Sequence, residues 1–390
     1  MRDLLDYSGN LLVVSDKWLR TRGGGVWGGS LGSMRGAGCA HVEGNYVYAG
    51  GELIGESSHT DGLARWDGSE WSRVGAGMAF RHDYGDLVQT VTSYDGDLFI
   101  GGKNTGARSV SYQEDDCYGT VLYDGGDILP MAPGLDPTFT SLVYQGDLYV
   151  GGEFNPSGLG LSRIARRGPA GWEALGAGVS QSAFSGAVYD LTEWQEKLIL
   201  GGKFSQADGL TCDNLVAWDG AAFSLVDDAD FSSDILAVCG FAGDLVVGGK
   251  FTSIDGAPMG RIARWDGLSW TNMNGGFDDY VECLEVWDGE LYAGGRFSSA
   301  DGVGTARVAR WDGAAWQPLG MGMDGAEGVM ALQDSDVGLF AGGDFTTAGG
   351  MPAAGVARWT GAAWEALGDG VTGGPIQPIV RDFCVHEGNL

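Results

Sequence analysis

A chain of 390 residues with 71 glycines and only 10 prolines suits many short strands and tight turns, and its glycines follow no collagen-like period. Its 14 Trp, 13 Tyr and 15 Phe can fill a large core, which sets it apart from a disordered acidic chain. The net charge of −29, from 52 acidic against 23 basic residues, argues against nucleic acid as a partner, because binding phosphates needs the opposite field.

From the N-terminus, residues 1–10 (MRDLLDYSGN) lack the basic start and apolar stretch of a signal peptide, and no later apolar run is long enough to span a membrane. Residues 9–15 (GNLLVVS) then open a series of short apolar strands ending in paired glycines. The series runs through YAGG to Gly51, LFIGG to Gly102, LYVGG to Gly152, LILGG to Gly202, LVVGG to Gly249, LYAGG to Gly295 and LFAGG to Gly343. Spacings of 51, 50, 50, 47, 46 and 48 mark tandem repeats. The glycine pairs fit a place where backbones approach too closely for a Cβ.

After each pair comes a second marker, ARWDGSEW ending at Trp71, ARWDGLSW at Trp270, ARWDGAAW at Trp316 and ARWTGAAW at Trp364. Asp-Gly between β-rich stretches signals a hairpin, and the flanking Trp residues are predicted to cover the apolar face between neighbouring sheets. The Arg before the repeat Trp (Arg65, Arg264, Arg310, Arg358) is predicted to be structural, in an ion pair or stacked on Trp. Each unit reads as four strands, and strands this short bury both faces when stacked radially. The prediction is an all-β chain, one β-propeller domain over 1–390 with eight four-stranded blades, a seven-blade ring with leftover strands being the alternative. Residues 380–390 (VRDFCVHEGNL) match residues 1–11 (MRDLLDYSGNL), which suggests a piece of a longer protein.

These markers resemble the Kelch and galactose-oxidase class of β-propellers. They are more closely similar to the LYVGG-F…ARWDG…W repeats of secreted bacterial proteins and of the fungal cortical polarity-marker family. The resemblance covers essentially the whole chain. It implies the propeller and an extracellular or cell-surface setting but not an activity, since propellers host enzymes, lectins and scaffolds. Galactose oxidase holds copper through tyrosines and histidines, whereas His41, His59, His82 and His386 form no such motif here, so no oxidase activity is expected. The six cysteines (39, 117, 212, 239, 283, 384) show no metal-ligand spacing; four fall in the first strands of their repeats, where they read as small buried residues, with a disulfide as the alternative.

Function on a repeat frame is expected where the repeat is broken. The run from Gly102 to Tyr123 is longer than its counterparts and holds Glu114, Asp115 and Asp116. The connection before it carries His82, Asp83, Tyr84 and Asp86, and the two segments are predicted to meet at one rim. Such oxygens beside an aromatic suit a sugar or a hard cation such as calcium. A third extension, SQSAFSGAV, lies further along the chain. No nucleophile elbow, Walker loop, dinucleotide fingerprint or HExxH helix is present. The expected function is therefore non-enzymatic binding or scaffolding, with a protein or glycan as partner. The alternative is a carbohydrate-active hydrolase or lyase using carboxylates around the central channel; adjacent pairs such as Asp227 with Asp228 and Asp278 with Asp279 are expected by chance in a chain with 52 acids.

Overall fold

The computed structural model describes residues 87–366, apart from 108–117, 124–127, 132–134, 157–159, 182–185, 327, 335–337 and 354, together with the backbone of nine strands before residue 87. Among the described residues every regular element is a strand. They form eight antiparallel sheets in which four strands follow one another in chain order from one edge to the other. The first strands are Asp3–Tyr7, Ala37–Glu43, Leu87–Tyr94, Thr138–Tyr144, Ala187–Trp194, Ile235–Phe241, Val281–Trp287 and Val329–Gln333. From the first sheet to the seventh, each packs against the first strand of the sheet that follows.

Local chemistry sets the turns. First and second strands are joined by two-residue turns such as Ala242–Gly243 and Asp288–Gly289, in which both residues are left-handed. The turn between third and fourth strands is held by its own aspartate. Asp266 Oδ1 accepts from Leu268 N and Ser269 N, and Asp312 Oδ1 from Ala314 N and Ala315 N. These bonds hold both carboxyls below the usual range.

In the third to seventh sheets the first glycine of the pair lies where two sheets touch. A Cβ on Gly201 would fall 2.7 Å from Val238 Cγ1, and one on Gly248 2.6 Å from Val281 Cγ1, in each case on the next sheet. The cores accordingly lie between sheets. Ile199 and Ala217 of the fifth pack with Val247 and Trp265 of the sixth, whose Val246 and Ile262 pack with Leu291 and Trp311 of the seventh.

The tryptophans flank their hairpins as expected, with ring centres 5.2 Å apart for Trp265–Trp270 and 5.3 Å for Trp311–Trp316. Trp316 Nε1 donates to Met273 O (3.1 Å) and Trp364 Nε1 to Leu319 O (2.9 Å), each tying a sheet to the end of the one before. The repeat arginines form ion pairs, Arg264 with Asp244, Arg310 with Glu290 at 2.8 Å and Arg358 with Glu365 at 2.5 Å. Cys212, Cys239 and Cys283 are free thiols, the last two on first strands, and burial raises the pKa of all three.

The repeat pattern gave no sign of a further element. In the last four sheets a two-residue hairpin rises between second and third strands; the fifth sheet has Gln206–Ala207 with Leu210–Thr211, joined by Val179–Ser180, and the last three have Ser253–Ile254 with Ala257–Pro258, Ser299–Ala300 with Val303–Gly304 and Thr347–Ala348 with Met351–Pro352. Each of the last three is bridged to the segment entering its own sheet, through Phe231 to Ile254, Phe277 to Ala300 and Met323 to Ala348. The carboxylate of Asp278 braces one of these hairpins, accepting from Ser298 N, Ser299 N and Ser298 Oγ. Asp324 does the same for Thr346 and Thr347.

Candidate functional site

In seven sheets the register between first and second strands skips one residue beside the glycine pair. The bulged residues are Gly38, Gln89, Phe139, Tyr189, Leu236, Glu282 and Met330. A bulge leaves its residue unpaired and re-aims the side chain. The ladder positions around it are constrained by the neighbouring sheet, whereas the bulged position varies from sheet to sheet. Phe139, Tyr189, Leu236, Glu282 and Met330 are all half-buried.

From the fourth sheet to the seventh, Phe139, Tyr189 and Glu282 join a row of rings and ion pairs completed by residues beside the first strands and after the glycine pairs. Phe139 stacks on Tyr189, with ring centres 5.9 Å apart and planes 21° from parallel. Lys250, directly after a glycine pair, places Nζ 6.0 Å from the Tyr189 centroid and 5.9 Å from that of Tyr280. Its partner is Asp234 Oδ2 at 3.0 Å. Arg296, in the equivalent place one sheet on, lies 5.7 Å from the Tyr280 centroid and pairs through Nε with Glu282 Oε1 at 2.6 Å. The cations are the outer members, Lys250 and Arg296 being 33% and 31% exposed against 16% and 14% for Asp234 and Glu282. Burial works against the Lys250 charge, but the Asp234 hydrogen bond and nearby acids outweigh it and raise its pKa.

Two carboxyls further along the first strands are perturbed. Burial pushes Asp190 up to about 7 although its oxygens accept from Leu191 N and Val238 N, both at 2.9 Å. Burial, then the charge of Asp334, pushes Glu285 up to about 8, and it accepts from Val286 N. A pocket of about 440 Å³ lies where the fifth sheet meets the segment entering the sixth, lined by Asp213, Asp227, Asp228, Asp230, Cys212 and Phe231 among others. Burial and a hydrogen bond shared with Asp230 raise Asp213. Asp227 is committed to Trp270 Nε1 at 2.5 Å. Among the described residues no group of three His, Cys, Asp or Glu is placed to hold a metal ion.

In fold, the chain is similar to a designed protein. That protein is the computationally designed Ika8, matched over 92% of this chain and 95% of its own at 13% identity and a TM-score of 0.54. Two further matches score below 0.5 and carry no argument. They are the extracellular domain of the hybrid two component system BT4673 from B. thetaiotaomicron (14% identity, 92% of this chain and 43% of that one, TM-score 0.44) and YjhT (12%, 72% and 96%, 0.37). No protein-family model matches the chain, and no curated protein does.

The residues singled out in the sequence, His82, Asp83, Tyr84, Asp86, Glu114, Asp115 and Asp116, lie outside the described residues. Their flanking strands are described. Met78 and Ala79 pair with Ala107 and Gly106 in the third sheet, and Gly106 also pairs with Tyr118. Of the paired carboxylates, Asp278 braces a hairpin and Asp279 accepts from Tyr280 N at 2.8 Å. Tyr189, Lys250, Tyr280 and Arg296 escaped the sequence reading. One compositional signal pointed to them: three of the five lysines (Lys103, Lys203, Lys250) directly follow a glycine pair.

Proposed function

We propose that the eight sheets are the blades of a Kelch-like β-propeller, and that the protein is a non-enzymatic binder or scaffold, secreted or on a cell surface. It recognises a protein or glycan through the rim that carries the bulged residues. The observation behind this reading is the division of labour among side chains. Repeated residues such as Arg264, Asp266 and Trp316 are consumed by bonds within and between sheets, while the variable ones gather at a single register position. Variable groups on a fixed frame are what a recognition surface requires. The likeness to Ika8 supports the repeated-sheet frame and leaves the ligand open.

Protein and glycan arrays probed with the native chain and with Lys250→Met test the reading. A ligand that is bound natively and lost in the variant, at unchanged melting temperature, is the expected result. Identical binding by both proteins removes the rim from the account.

A second reading, a hydrolase or lyase working through carboxylates on the first strands, has one observation in its favour. Asp190 and Glu285 hold protons near neutrality, as a general acid must. Against it, both Asp190 oxygens are already occupied by backbone donors. This reading requires turnover of a polysaccharide that Glu285→Gln abolishes, and absence of turnover across a broad panel rules it out.

A further inference from the structure

The binding reading leaves the ligand open between protein and glycan, and naming the ligand's class rests on that reading. Across consecutive sheets the rim presents a row of alternating rings and ion pairs: Phe139 on Tyr189, then Lys250 with Asp234, then Tyr280, then Arg296 with Glu282. We propose that this row is a subsite for an uncharged glycan, with sugars lying against the outer edges of the Tyr189 and Tyr280 rings, whose faces meet Phe139, Lys250 and Arg296, and with their hydroxyls shared between the flanking ammonium, guanidinium and carboxylate groups.

Three features of the row favour such a ligand. First, the separations of 5.9 and 6.0 Å between Lys250 Nζ and the two rings are the outer limit of a cation–π contact, so Asp234, not the rings, fixes the ammonium. The same distances place the ring centres within about 12 Å of one another, so one short oligosaccharide can touch both. Second, an ion pair offers a donor beside an acceptor. A sugar hydroxyl can accept from Lys250 or Arg296 while its neighbour donates to Asp234 or Glu282, and both bonds are charge-assisted.

Third, Lys250 is matched by Asp234 and Arg296 by Glu282, and Glu153 is close enough to act on Tyr189, so the row offers no net positive charge within a chain of net charge −29. An anionic glycan meets repulsion from that field, and a cationic ligand meets Lys250 and Arg296 as the outermost groups. A neutral polyol meets neither. The row is also polar and half-buried, unlike the apolar centre of a protein–protein contact.

The test is an array of neutral oligosaccharides from cellulose, xylan, mannan and dextran beside uronate oligosaccharides from alginate, with titration calorimetry of any hit. The full chain is compared with Tyr189→Ala, Lys250→Met and Tyr189→Phe. Tyr189→Ala is expected to weaken a neutral glycan by about tenfold or more, as loss of one ring contact implies, while Tyr189→Phe keeps the ring and the affinity. Should Tyr189→Ala fail to fold, Lys250→Met carries the same expectation of weakened binding. Binding confined to the uronates, or neutral binding that none of the variants alters, overturns the inference and leaves the binding reading standing. A protein partner that is lost with Lys250→Met and not displaced by neutral sugars does the same. Polysaccharide cleavage with no stable binding overturns both.

Discussion

At Gly248, an added methyl would sit 2.6 Å from Val281 Cγ1 on the next sheet, so Gly248→Ala has to push two sheets apart. Overpacking of this kind costs about 1–3 kcal/mol. Gly304→Ala meets nothing within 4 Å and is expected to change stability by less than about 0.5 kcal/mol. Urea unfolding of the two variants measures the contrast. Glu285 and Asp190 make a second prediction at this scale. Their carboxyls titrate at about 8 and about 7 in the folded chain, above their ordinary values, so the native state holds these protons more tightly than the unfolded state does. Their contribution to stability is then greatest below the ordinary carboxyl range and is lost as pH rises toward 8. The melting temperature should be lower at pH 8.5 than at pH 5. Glu285→Gln, which keeps an acceptor for Val286 N, should shrink that difference, whereas an unchanged difference would contradict the assignment.

Within a single sheet, aromatic burial rather than charge pairing holds the third and fourth strands to their neighbours. Trp265 is 9% exposed and joins the core between the fifth and sixth sheets, so Trp265→Ala is expected to cost about 3–5 kcal/mol. The adjacent Arg264 is one-third exposed, and Arg264→Gln should cost about 1 kcal/mol or less by the same denaturation measurement. These strands were legible in the sequence because their chemistry is local. Asp266 caps its own turn, Trp265 and Trp270 face each other across it, and the glycine pair marks the close approach to Val281. The bulges were not legible. Phe139, Tyr189, Leu236, Glu282 and Met330 share no residue type, and what unites them is a one-residue skip fixed by pairing with another strand. Departures in length single out 80–86 and 108–117 in the sequence, whereas departures in identity at a fixed register position carry no mark in a single sequence. The short hairpins such as Ser253–Ile254 with Ala257–Pro258 were also hidden, being two-residue ladders without an apolar pattern of their own.

Across the molecule one relation is repeated, each first strand lying against the next from the first sheet to the eighth. The same step places Gly201 on Val238, Gly248 on Val281 and Gly294 on Val329, so successive sheets turn through similar contacts. The proposed propeller is what such a step produces when the eighth sheet returns to the first, and the binding rim depends on it because the row from Phe139 to Arg296 needs a curved succession of sheets. Small-angle X-ray scattering of the purified chain tests this most directly. A closed ring of 390 residues should have a radius of gyration near about 21 Å, the value for a compact domain of that length. Eight sheets stacked about 10 Å apart in an open array would extend roughly 80 Å, and a radius of gyration clearly above about 25 Å would contradict the ring.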